Sequence, residues 1–180
     1  MKRQLLIITA MAAGLSANAQ QIDFNLAGRQ ASQVTEDGFT PWAIATTRSE
    51  SMLLQDGGIT VKIALDNSAT GMAMKSCWWK DGVNKFSKLI SDGVTVYRLD
   101  ASGNTPTIQS GAVKMIVTIS GLSAGKHTLL AYHNDDNGYS TAKLDVYVNG
   151  IKVLTGVEQS SRAMRTDDCG MSYIEFNAEE

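Results

Sequence analysis

The sequence predicts an all-β protein, an antiparallel β-sandwich of the jelly-roll kind with room for one short helix. Three observations predict it. Several segments alternate apolar and polar residues with a period of two, as half-buried antiparallel strands require. The segments between them are rich in Gly, Asn, Asp and Ser, residues that tolerate positive φ or make local side-chain hydrogen bonds. Strands and turns recur at near-regular spacing, the pattern of two packed antiparallel sheets.

The strands can be justified in chain order. Gln21–Asn25 and Trp42–Thr46 are short strand candidates, and Trp42 after Thr40-Pro41 reads as a core anchor. Ile59 to Leu65 alternates clearly. Phe86, Leu89 and Ile90 fall at i, i+3 and i+4 after Asp81-Gly82, so a short helix is expected there, stopped by Gly93. Val94–Leu99 is a further strand. Val113, Met115, Val117 and Ile119 share one face of the next. Gly121-Leu122-Ser123-Ala124-Gly125 makes a corner into His127–His133. Leu144, Val146 and Val148 face one way, with Asp145 and Tyr147 opposite, and Asn149-Gly150 should turn a hairpin, since a type I′ turn needs positive φ at both central residues. Ser172–Asn177 is the last strand expected.

Residues 1–19 read as an export leader. Lys2 and Arg3 precede an apolar run from Leu5 to Leu15, and Ala17-Asn18-Ala19 fits a cleavage site. The run of about 11 residues is shorter than the roughly 20 that span a bilayer. The expected address is therefore the periplasm, the cell surface or the medium, with no membrane span. One domain, residues 20–180, should follow. Loss of Lys2 and Arg3 takes the net charge from -2 to -4, and no Lys/Arg stripe suggests a nucleic-acid partner. The last strand is followed only by Ala178-Glu179-Glu180, so the domain is expected to be either a complete small sandwich or, the favoured reading, the front part of a longer chain.

Chemistry-bearing residues are few. No G-x-S-x-G elbow is present. His127 and His133 should project from one face of one strand, His127 as a corner residue bonding a loop carbonyl. Among Asp23, Asp92, Asp135, Asp136, Asp145, Asp167 and Asp168, none stands in a pattern that implies a buried acid with a shifted pKa. No catalytic residue is therefore assigned. Asp135, Asp136 and Asn137 form a compact oxygen-donor cluster that is read either as a solvated turn or as part of a structural calcium site. No other cofactor is expected. Cys77 and Cys169 either stay as two thiols or form a disulfide closing a long loop, worth about 4–5 kcal/mol in the chain-entropy model.

Aromatic residues are the best functional lead. Sugars present flat C–H faces that pack on rings, with polar groups beside the ring to fix the hydroxyls. Trp78-Trp79 must split between the two sides of an extended strand. Trp79, Tyr132, His133, Asn134 and Tyr139 are the ligand-binding candidates.

Four segments carry a resemblance: Gln21-Ile22-Asp23-Phe24-Asn25-Leu26-Ala27-Gly28-Arg29, Thr35-Glu36-Asp37-Gly38-Phe39-Thr40-Pro41-Trp42, Leu89-Ile90-Ser91-Asp92-Gly93-Val94 and the Gly121–Asn134 corner. Together the chain resembles the malectin-like or galactose-binding-like β-sandwich found ahead of the catalytic domain in exported polysaccharide-degrading proteins of Bacteroides-type gut bacteria, often ones acting on pectin. The closing segment of that pattern, similar to N-G/A-F-E, does not occur after Glu180. The resemblance implies a non-catalytic carbohydrate-binding or accessory module whose partners are a polysaccharide or oligosaccharide and a catalytic domain. Two other readings stand beside it: a structural spacer packing on a partner, and a fragment of a polysaccharide lyase or glycosidase.

Overall fold

The structure is a computed structural model and describes residues 5–11, 20–44, 51–66, 72–78, 87–99, 106–107, 114–135 and 143–179. It is built almost wholly of strands, as the alternating pattern predicts. In chain order these are β1 (Leu5–Met11), β2 (Gln20–Leu26), β3 (Thr40–Ile44), β4 (Ser51–Asp56), β5 (Ile59–Leu65), β6 (Met72–Trp78) and β7 (Asp92–Leu99). There follow β8 (Pro106–Thr107), β9 (Met115–Ser120), β10 (Gly125–Asp135), β11 (Leu144–Val148), β12 (Ile151–Val157), β13 (Ser160–Ser161) and β14 (Gly170–Ala178). One helical turn, α1, covers Ala31–Val34. The helix expected around Leu89 is a single 3-10 turn at Lys88–Ile90, held by Ser91 N–H donating to the Lys88 carbonyl. Phe86 lies outside the described residues.

The largest sheet runs β13-β10-β1-β2-β3, with β14 also on β10, β7 on β1, and β6 and β8 on β7. A second sheet runs β4-β5-β9, and β11 and β12 form a hairpin of their own. Most pairings are antiparallel; β2–β3 and β10–β13 are parallel. One apolar core joins the two larger sheets. Ile22, Phe24, Trp42, Ile44, Met74, Val94 and Val96 come from the first, Val61 and Ile63 from the second. Met115, Val117 and Ile119 of β9 pack against it, as their shared parity predicts. The arrangement is two-layered and sandwich-like. Phe24 and Trp42 lie opposite in register and meet with ring centroids 5.0 Å apart. Trp42 is thus the core anchor its position suggests.

The hairpin turn has φ of 48° at Asn149 and 83° at Gly150, the conformation that Asn-Gly favours. In β11 Leu144 is buried, while Asp145 and Tyr147 are exposed. At the Gly121 corner φ is 83°, and an added Cβ would strike the Gly58 carbonyl of the neighbouring turn, so close packing as well as backbone angle requires glycine.

Two features depart from expectation. Residues 5–11 form a strand in the interior of the large sheet, whereas the domain was expected to start at residue 20. An uncharged run of Leu-Leu-Ile-Ile-Thr-Ala-Met has both the apolarity of a leader and the β-branched content of a strand, so composition alone does not separate the two. β4, β6, β8, β13 and the α1 turn were also not expected. In β6 both faces are largely covered, so alternation is lost.

Candidate functional site

The strands of the large sheet bring several of its ends together. Leu26 at the end of β2 donates its N–H to the Asp92 carboxylate at the start of β7, 2.9 Å away. Asp92 in turn lies opposite Trp78 at the end of β6. Asn134, at the end of β10, donates to the carbonyl of Ile90 just before β7 at 2.8 Å. The ends that lead into Trp79 and into the Asp136–Tyr139 segment therefore converge on one end of the sheet. Trp79, Tyr139, Asp136 and Asn137 themselves lie outside the described residues.

At this end Trp78 is exposed, at 38% of its surface, and the Arg29 guanidinium carbon sits 4.5 Å from the ring centroid. That distance is a cation–π contact. It fixes the parity that the sequence left open: Trp78 is an outward ring. It also adds Arg29, a residue not singled out from the sequence. Arg29 follows Gly28, whose φ is 89°, in the turn after β2.

Two of the expected ligand contacts have their side chains engaged inside the fold. Asn134 is fully buried. Its amide donates to the Ile90 and Ala163 carbonyls, at 2.8 and 3.1 Å. Its carbonyl accepts from the Ala163 N–H and the Ser160 hydroxyl, both at 2.9 Å. All four of its hydrogen-bonding positions are filled, which leaves none for a sugar. His133 is 2% exposed, with Nε2 2.8 Å from the Ser172 hydroxyl. These residues bolt β10 to β14 and to the segment around β13. Tyr132 is half-buried against the core, and burial raises its phenol pKa. Asp135 is buried as well, and its carbonyl accepts from the Arg162 N–H at 2.9 Å. No group of three or more His, Cys, Asp or Glu able to hold a metal occurs among the described residues.

His127 fills the corner role expected of it. Its Nε2 lies 2.7 Å from the Ser123 carbonyl, and its ring stacks on Phe176 with centroids 5.7 Å apart. Cys77 and Cys169 are buried thiols that do not form a disulfide. Cys77 sits in β6, opposite Gly93, and Cys169 follows a 3-10 turn, with Sγ 3.4 Å from the Ser160 hydroxyl oxygen. Burial pushes the Cys169 thiol pKa up.

One acid is buried and shifted although its place in the sequence does not imply it. Asp23 on β2 is fully buried on the face away from Phe24, beneath the segment that carries α1. Burial raises its carboxyl to about 7, and Glu36 adds to the effect. The Glu36 N–H donates to Asp23 Oδ2 at 2.7 Å and holds the value down in part, as do Asn25 and Lys88. Oδ1 has no hydrogen-bond partner. Beside it Asn25 donates to the Val34 carbonyl at 3.1 Å and accepts from the Thr35 hydroxyl at 2.8 Å. Glu36 completes the staple by accepting from the Ser87 hydroxyl and the Leu89 N–H, at 3.0 and 3.2 Å. Asp23 and Asn25 therefore tie the 26–39 segment down onto β2. Alternation in Ile22-Asp23-Phe24-Asn25 does not signal this, because both faces of β2 are covered.

Comparison of the chain with protein-family models, with curated proteins and with solved structures finds no match.

Proposed function

We propose that this protein is a non-catalytic carbohydrate-binding or accessory module of an exported polysaccharide-utilisation system, and that its sugar-stacking ring is Trp78. The observation that carries this reading is the exposed Trp78 ring with Arg29 over it, at the end of the sheet where the strands leading to Trp79 and Tyr139 finish. An exposed indole offers a flat apolar surface to the C–H face of a sugar, and a guanidinium at its rim offers directed donors to hydroxyls or to a uronate. The internal hydrogen bonds of His127, His133 and Asn134 support a structural role for those side chains in place of chemistry. Export rests on the leader-like pattern of residues 1–19.

The test is a glycan array probed with the full chain and with Trp78→Ala. Specific binding that falls at least about tenfold in a variant with an unchanged melt supports the site. Binding that is unchanged in a folded Trp78→Ala rejects it.

A specific observation favours a second reading, a spacer that packs on a catalytic domain. Met171 and Tyr173 are exposed side by side on the outer face of β14, at 58% and 55%. A folded chain that binds no glycan but loses association with its enzyme partner on Tyr173→Lys would establish that reading instead.

A further inference from the structure

β1 occupies a slot in the middle of the large sheet. Along one side Ile7 to Met11 lie opposite Tyr132 to Thr128 of β10, antiparallel. Along the other, Thr9 and Ala10 face Gln21 and Gln20 of β2, and Leu5 and Leu6 face Thr95 and Val94 of β7. Val94, Thr95 and Ala131, which line the slot, are at most 2% exposed. The strand filling it is the apolar run of the export leader, and it joins the chain ahead of the Ala17-Asn18-Ala19 cleavage pattern.

These facts conflict with a finished, self-contained mature chain. Leader removal after residue 19 would take β1 away and leave β10 unpaired on one side and β2 and β7 on the other. Backbone N–H and C=O groups within a sheet need partners, and a raw strand edge pairs readily with another chain. Every described strand of the chain already holds a place in a sheet, so none is spare to refill the slot. We propose that the slot between β10 and β2/β7 is a strand-acceptor site, which on leader removal takes an extended strand of a partner polypeptide antiparallel to β10. The present occupant sets the chemistry: about seven residues, uncharged and apolar, rich in Leu and β-branched residues. This is recognition by β-strand addition, in which main-chain hydrogen bonds give affinity and alternate side chains give selectivity. It rests on the reading of residues 1–19 as a cleaved leader.

The experiment uses the full chain with a site-specific protease sequence in place of residues 12–19, cut after folding. The probe is a fluorescent peptide of residues 5–11 flanked by lysines. The expected result is that the cut fragment stays bound, exchanges one-for-one with the probe, and is displaced about 100-fold less well by the probe carrying Ile8→Pro, which cannot donate to the ladder. Release of the fragment with an unchanged melt and no probe uptake would overturn the proposal. Release with doubled mass in light scattering and exclusion of the probe would overturn it in favour of a second copy of the chain. N-terminal sequencing of the exported protein separates the two premises. A start at Gln20 keeps the slot open for a partner. A chain that retains Leu5–Met11 fails through the leader reading, even where probe exchange succeeds.

Discussion

Asp23→Asn isolates the buried carboxyl beneath the 26–39 segment. In the native chain Asp23 titrates near 7 because burial disfavours its charged form. In the unfolded chain it returns to its ordinary 3.8. The folded state therefore binds the extra proton between these values, and stability falls as pH rises through that window. Roughly three pH units at about 1.4 kcal/mol each amount to about 4 kcal/mol lost by the time Asp23 is ionised. That is a large share of the 5–15 kcal/mol typical of a domain. Asn keeps an oxygen for the Glu36 N–H and cannot ionise. The variant should match the native chain near pH 4 and exceed it by about 2–4 kcal/mol at pH 8.5. The assay is urea unfolding of both chains at pH 4, 5.5, 7 and 8.5. Parallel stability profiles for the two chains would mean that Asp23 ionises in the folded state at no cost, against a burial-raised carboxyl.

Other expectations follow from the same structure. Asn134→Ala strands the Ile90 and Ala163 carbonyls and the Ala163 N–H, and should cost about 2–4 kcal/mol in urea unfolding; a cost under about 1 kcal/mol would show that water replaces the amide. Gly121→Ala, at positive φ and against the Gly58 carbonyl, should lower the melting temperature by several degrees, while Gly28→Ala, with open space around it, bears the backbone strain alone and should cost less. Cys77 and Cys169 should resist a thiol reagent in the folded chain and both react in denaturant; rapid labelling of Cys169 in native conditions would contradict its burial. Lys152→Ala, which breaks an exposed pair with Asp145, should leave the urea midpoint essentially unchanged.

The strand class and much of its placement were legible in the amino-acid pattern alone. The parity of Ile59–Leu65, of Met115–Ile119 and of Leu144–Val148 carries over residue for residue, because alternation is a local consequence of the pleat. The Asn149-Gly150 turn and the His127 corner were legible for the same reason: backbone angles and a hydrogen bond four residues away are local. What tertiary structure decided is what each face of a strand meets. Asn134 and His133 read from the sequence as ligand contacts at a strand end, and are internal bolts because β13, β14 and the Ile90 turn close over them. Asp23 stands in no pattern that implies burial, and is dry because the 26–39 segment folds back on it. Trp78 is outward and Arg29 lies over it because β6 ends beside the turn after β2, a neighbourhood of 49 positions in sequence that no periodicity encodes. The role of residues 5–11 was the least legible. Apolarity suits a leader and a central strand alike, and only pairing with β10, β2 and β7 reveals the slot that such a run can fill.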